Sequence, residues 1–227
     1  MALLSMAMPF TAKAQDKVEA SVGADFVSNY IWRGTDCGGV SIQPSMGVSY
    51  KGLSLTAWGS VGIDKEDARE IDLTLGYNTG GFSVSVTDYW FSYHKEDGGY
   101  TGDYFKYGAH STVHIFEATL GYDFGPLALS WNTYFAGDDY TKENGDRAYS
   151  TYVGISAPFK LGSLDWSAEV GLTPWEGAYA NKFNVTNLTL KAEKEIKFTN
   201  SFSLPTFAQV TFNPHTQGAY FVFGVSF

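Results

Sequence analysis

From Val18 onward the apolar positions recur every second residue, the period of a strand with two unlike faces, and not every 3.6. Val18, Ala20, Val22, Ala24, Phe26, Tyr30 and Trp32 share one parity; Glu19, Ser21, Gly23, Asp25, Asn29 and Arg33 share the other. Three more runs follow: Val40 to Tyr50, Leu53 to Ile63 and Ile71 to Tyr77. A fifth opens at Phe82, Val84 and Val86, and its faces become ambiguous at Asp88, where a bulge would swap them. Seven further runs start at Phe116, Leu127, Tyr149, Leu164, Leu188, Phe202 and Ala219, the last ending on Phe227. The pattern predicts about 12 strands, an even number, as in bacterial single-chain membrane barrels.

The connections test this independently. Lys51-Gly52, Thr79-Gly80, Gly125-Pro126, Leu161-Gly162 and Thr199-Asn200 are tight turns by their Gly, Asn and Pro chemistry. Between them fall longer polar loops at 34–39, 64–69, 94–111, 137–147, 174–182 and 213–217. Short periplasmic turns alternating with long extracellular loops are the habit of an outer-membrane barrel. Aromatics flank both kinds of connection. Tyr50, Tyr77, Phe82, Tyr122, Phe159 and Phe198 stand near the short turns, and Tyr30, Trp32, Trp90, Phe135, Tyr149, Phe183 and Phe212 near the long loops. Two such rings around a Val/Leu/Ala/Ile band form a double aromatic girdle. The expected fold is all-β: a transmembrane, antiparallel, up-and-down β-barrel of residues 15–227. A closed barrel is the sheet that leaves no unpaired backbone in lipid.

Composition narrows the function classes. The chain has 227 residues, a net charge of −9, 17% aromatics, 17% charged residues, 25 glycines and one cysteine. The acidic balance argues against a nucleic-acid partner. Cys37 alone cannot make a disulfide framework within one chain. Four histidines and one cysteine leave little for a zinc site, and no cofactor is expected. Residues 1–14 are expected to be a signal peptide cut after Ala14, by the small-x-small pattern Ala12-Lys13-Ala14; the missing basic start places its true beginning upstream of Met1. Export of this kind leads to the bacterial outer membrane. The expected partners there are lipid and lipopolysaccharide, small solutes, and the barrel assembly machinery reading the C-terminal strand that ends at Phe227.

Asp25-Phe-Val-Ser-Asn-Tyr-Ile-Trp-Arg-Gly34, followed by Ser41-Ile-Gln-Pro-Ser-Met-Gly-Val-Ser-Tyr50, resembles the TorF-type porin family of Gram-negative bacteria. Gly59 to Ile63 and Glu70 to Tyr77 fit the next hairpin of that family, and the likeness covers roughly residues 20–95. The resemblance implies an outer-membrane barrel with a channel role and names no solute. Physics gives local tasks to the same residues. Gly34 lets the chain turn just above the membrane, Pro44 suits a bulge or an edge, and Arg33 lies at the lumen-facing parity.

The lumen-lining candidates at the polar parity include Asp25, Arg33, Glu70, Asp72, Glu117, Glu169, Lys191 and Glu193, joined by the aromatics Trp58 and Tyr152. Carboxylates outnumber bases there, so a water-filled bore would prefer cations. Lys191 and Lys197 alternate with Glu193 and Glu195, which predicts cross-strand pairing to both neighbouring strands. With inward Trp58, Tyr89, Phe91, Tyr93, Tyr134, Tyr152 and Phe207, the bore is narrow or closed.

A lipid-modifying enzyme would need Ser and His near the outer interface. His94, His110, His114 and His215 lie in or near long loops, and His110-Ser111 is the best pairing, but the His-x-Ser spacing of outer-membrane phospholipases is absent. The sequence therefore reads as a narrow channel for passive diffusion and not as an enzyme. A structural or loop-binding barrel is the competing class.

Overall fold

The computed structural model describes residues 17–95, 99–109, 111–200 and 202–227. The expected leader and His110 lie outside them. The described residues form fourteen strands: β1 (Glu19–Val27), β2 (Tyr30–Trp32), β3 (Thr35–Gly38), β4 (Ser41–Tyr50), β5 (Leu53–Gly62), β6 (Arg69–Thr79), β7 (Phe82–Ser92), β8 (Ile115–Asp123), β9 (Ala128–Gly137), β10 (Thr151–Leu161), β11 (Leu164–Thr173), β12 (Asn184–Lys197), β13 (Ser203–Asn213) and β14 (Gly218–Ser226). Twelve of these close an antiparallel barrel in which β1 pairs both β4 and β14; β2 and β3 form a separate hairpin.

The alternation sorts the side chains. Val22, Met46, Leu55, Leu75, Leu120, Leu129 and Phe221 are exposed on the outer wall. Exposed Tyr50, Tyr77, Phe82, Tyr122, Phe159 and Phe198 ring the short-turn end, and Phe135, Tyr149, Phe183 and Phe212 the long-loop end. In water such a wall would be an aggregation surface. In hydrocarbon it is the natural exterior of a closed sheet. The barrel is a membrane-spanning one.

Three local expectations are corrected. Tyr30 and Trp32 are not in the outer belt but buried inside the barrel, because the chain leaves the wall after Val27. Asp88 does not sit in a bulge: β6 and β7 pair without a break from Arg69/Ser92 to Thr79/Phe82. Register shifts lie elsewhere in the barrel, between Phe116 and Glu117 and between Gly171 and Leu172. Asp88 keeps the outward parity, where a carboxylate in lipid would be costly. Its oxygen instead meets His114 Nδ1 at 2.6 Å, and the Tyr104 carbonyl holds His114 Nε2 at 2.7 Å. Loop residues Tyr104 and Tyr107 pack against that fully buried imidazole and fold over the outer rim. Pro44 forms no bulge; it sits opposite Ala24 in the β1–β4 ladder, and the β4–β5 pairs skip from Ile42 to Ser45 around it.

The seam between the first and last strands is short. Only Asp25–Val27 pair with Gly224–Ser226, extended by bonds between Ala24 and Phe227 (2.9 and 3.2 Å) and from Ser28 N–H to the Phe223 carbonyl (2.9 Å). The residues that would continue β1 along β14 are those of the β2–β3 hairpin. That hairpin keeps the wall's register: the alignment that pairs Val27 with Ser41 also pairs Tyr30 with Gly38. It shifts by one only beyond Tyr30, at Cys37.

Candidate lumen plug

The β2–β3 hairpin bends into the long-loop half of the lumen. Its two-residue turn is Arg33-Gly34, with φ of 50° and 80°. Positive φ at both positions is what a type I′ turn demands, and Asn-Gly is its usual occupant. An arginine in the left-handed region is strained, and such strain gathers where a side chain has a task. Gly34 turns inside the barrel and not above the membrane as expected. Its carbonyl accepts a 3.0 Å bond from Asn213 Nδ2 on β13. A Cβ at this position would run into the Thr186 carbonyl of β12.

Arg33 thus crosses the bore and is 7% exposed. Its Nη1 and Nη2 donate to the two carboxylate oxygens of Glu117 at 2.6 and 2.9 Å, a bidentate fork. Nη1 also donates to Tyr179 Oη at 2.5 Å. The guanidinium carbon lies 4.4 Å from the Trp32 ring centre, 4.7 Å from Tyr152 and 5.7 Å from Tyr179. Tyr89 donates to Glu117 at 2.9 Å, and Tyr179 donates to Tyr134 at 3.1 Å. Tyr179 belongs to the loop after β11, and burial pushes its phenol up to about 12, so it serves as a neutral hydroxyl. Glu117 and its tyrosines come from four strands and one loop, and without this convergence a buried carboxylate would be intolerable.

Around this ion pair the plug is aromatic. Tyr30 stacks at a tilt on Trp58 (5.6 Å), Trp32 on Tyr89 (5.5 Å), and Tyr152 on Tyr179 (5.7 Å). Beside them Glu70 and Asp72 project from β6, 4% and 1% exposed. Glu70 takes a hydrogen bond from Tyr30, and Asp72 lies beside it on the same strand. Cys37 of the hairpin lies near Glu70. Burial, with Glu70 nearby, pushes its thiol up to about 12.

The short-turn half is built differently. Inward positions there are small and face one another across successive strands: Ser21 with Gly47, Ser54 with Gly76, Gly76 with Ser85, and Gly121 with Ser130. A larger, charged wall stands on β11 to β13. Lys191, 1% exposed, meets Glu193 at 2.6 Å and the Phe207 ring at 4.4 Å. Among the described residues the expected cross-strand charge pairing is not found, since Lys191 faces Ser167 and Gln209, and Lys197 faces Ser203. The ion partner of Lys191 is instead Glu193 on its own strand.

The structure brings Arg33, Trp58, Glu70, Asp72, Glu117 and Tyr152 together in the plug. Glu169 joins its edge by accepting from Tyr152 Oη at 2.5 Å and from Asn187 at 3.1 Å. Lys191 and Glu193 lie apart, nearer the short turns, and Asp25 faces Gln43 and Ser226 at the seam. Sequence reasoning missed Tyr179, which lies in a loop without alternation, and the Asp88–His114 pair. It also missed the Ser/Gly wall, which glycine at the inward parity of successive strands could have signalled.

No family model and no curated protein matches this chain. Among solved structures it is similar to the NanC porin (8% identity, TM-score 0.45, 91% of this chain and 98% of that one). It is also similar to BamA from Haemophilus ducreyi lacking POTRA domains 1–3 (11%, 0.41, 93% and 48%). A third is CdiB from Acinetobacter baumannii (13%, 0.42, 93% and 60%). These are likenesses of shape at low identity.

Proposed function

We propose that the chain is an outer-membrane channel of a Gram-negative bacterium, of the TorF-type kind, whose hairpin β2–β3 closes the extracellular half of the bore. One observation carries this reading: facing Ser and Gly positions line the wall at the short-turn end, below a plug held across the bore by the bidentate ion pair Arg33–Glu117. A purely structural barrel has no need of a lumen wall of facing Ser and Gly on β1 and β4 to β9 below a hairpin that crosses the bore. In this reading the protein is exported by a signal peptide, folded by the assembly machinery through the strand ending at Phe227, and embedded in lipid and lipopolysaccharide. Transport is passive, and Glu70, Asp72, Glu117, Glu169 and Glu193 bias the open path toward cations.

Planar-bilayer recording of the folded full chain is the test. Wild type should show small, infrequent currents, and a variant with residues 30–38 replaced by a short Gly-Ser turn should conduct steadily. Absence of current from both proteins, each with intact heat-modifiable mobility, overturns the channel reading and leaves a structural barrel. Neutralising Glu70, Asp72 and Glu169 together should lower the cation preference of the open variant; unchanged reversal potentials would remove those residues from the path. Phospholipid turnover by the wild type would instead favour an enzyme.

A further inference from the structure

The groups that hold Arg33 are more elaborate than a latch requires. Both oxygens of one carboxylate are presented to a planar fork, a phenol accepts a third N–H, and the π faces of Tyr152 and Tyr179 flank the cation. This is the recognition chemistry of a guanidinium, which an ammonium cannot satisfy in the same geometry. Apart from Trp32, every contributor belongs to the wall or to another loop, so the arrangement does not depend on the hairpin being docked. The contributors also fix one another: Tyr89 donates to Glu117, Tyr179 to Tyr134, and Tyr152 to Glu169. Among the described residues Arg33 Nε makes no hydrogen bond, so the cradle reads only the terminal fork and leaves the substituted nitrogen unread.

We propose that this cradle is a binding site for small, mono-substituted guanidinium solutes, filled in the closed barrel by the chain's own Arg33. The tethered side chain acts at an effective concentration in the millimolar range, as short tethers do. A free guanidinium solute at comparable concentration competes with it, and binding at Glu117 displaces the plug. The site deepens the channel reading above, since displacement opens the bore, but the binding itself can be measured without any current.

The test uses the folded full-length barrel carrying Arg33→Ala, with Arg33→Gln as a second variant should the first fold poorly. Methylguanidinium and methylammonium chlorides are titrated at constant ionic strength by calorimetry in micelles, and the same proteins are recorded in bilayers. The vacated cradle should bind methylguanidinium at least tenfold more tightly than methylammonium. Adding Glu117→Gln should abolish that preference, and wild type, whose own Arg33 competes, should bind at least tenfold more weakly. No binding by either folded variant, or equal binding of the two cations, overturns the site. If binding follows the expected order while no variant conducts, the site stands and the channel reading falls. If the Arg33 variants conduct but bind neither cation, the channel reading stands and the site falls.

Discussion

Glu117→Gln is a nearly isosteric change that removes one charge from the centre of the plug. The side chains of Arg33 and Glu117 are 4% and 1% exposed, so neither can turn to water while the hairpin stays docked. Removing one partner of a buried pair leaves the other charge uncompensated and costs about 3–5 kcal/mol. The amide oxygen can still accept one N–H of the fork, and Tyr89 can still donate to it, so the lower end of that range applies. At about 1.4 kcal/mol per factor of ten, the undocked population rises roughly a hundredfold or more. Trypsin reports this population, because its Arg33–Gly34 bond is held inside the barrel. When opening is fast relative to cleavage, the rate follows the equilibrium fraction open. Mass spectrometry should therefore show cleavage after Arg33 in the Glu117→Gln barrel at least about a hundredfold faster than in wild type. Cleavage after Lys65, whose side chain is 77% exposed in another loop, should not change and serves as the control. A rate after Arg33 within threefold of wild type would refute the claim that the buried ion pair holds the plug.

Gly34→Ala should loosen the same plug from its far side, because a Cβ meets the Thr186 carbonyl and φ is +80°; quenching of the buried Trp32 by acrylamide should increase, and unchanged quenching would show that the turn is not seated there. Cys37, its thiol pushed up to about 12 by burial, should react with maleimide at pH 8 about a thousandfold more slowly than an ordinary thiol. Since the raised value keeps the thiol protonated, the rate should climb as pH approaches 12, and undocking by Glu117→Gln should speed the reaction at pH 8 by about a hundredfold; a fast wild-type reaction would contradict the docked placement of the hairpin. Asp88→Asn should destabilise the outer rim by about 1–3 kcal/mol, since it strips the fully buried His114 of its carboxylate. The temperature at which the folded electrophoretic band is lost should fall, and no change would show that the His114 strap contributes nothing to the barrel.

The barrel was legible because a wall with lipid outside and water inside imposes period two on every strand, and nothing else in the chain competes with that signal. The plug was not. Tyr30 and Trp32 continue the outward parity of Phe26, so alternation alone places them in the belt. What turns them inward is a set of contacts 84, 146 and 179 residues away in sequence, to Glu117, Tyr179 and Asn213. Asp88 was misread for a related reason: a carboxylate at a lipid-facing position looks like a broken pattern unless its cover, supplied by His114 and a loop, is known. Arg33 was placed at the lumen parity from its strand position, yet its burial follows from the I′ turn that aims it across the bore.

The shared register of the hairpin and the wall makes residues 30–38 a lever hinged at Ser28–Asn29 and Gly39–Val40. Swinging it upright breaks no rung of β1–β4 or of β2–β3. It carries Tyr30 and Trp32 to the parity of Phe26, among the lipid-facing aromatics, where the alternation of the sequence would put them. It also sets Asn29 opposite Val222 and Tyr30 opposite Phe221, lengthening a seam that now holds three paired residues. Plug and seam therefore draw on the same stretch of chain, so the barrel zips up its side as it uncorks. An oxidised N29C/V222C pair in a C37S background should hold the upright state and raise conductance until a reductant is added; a cross-linked barrel that stays closed would show that the hinge does not turn this way.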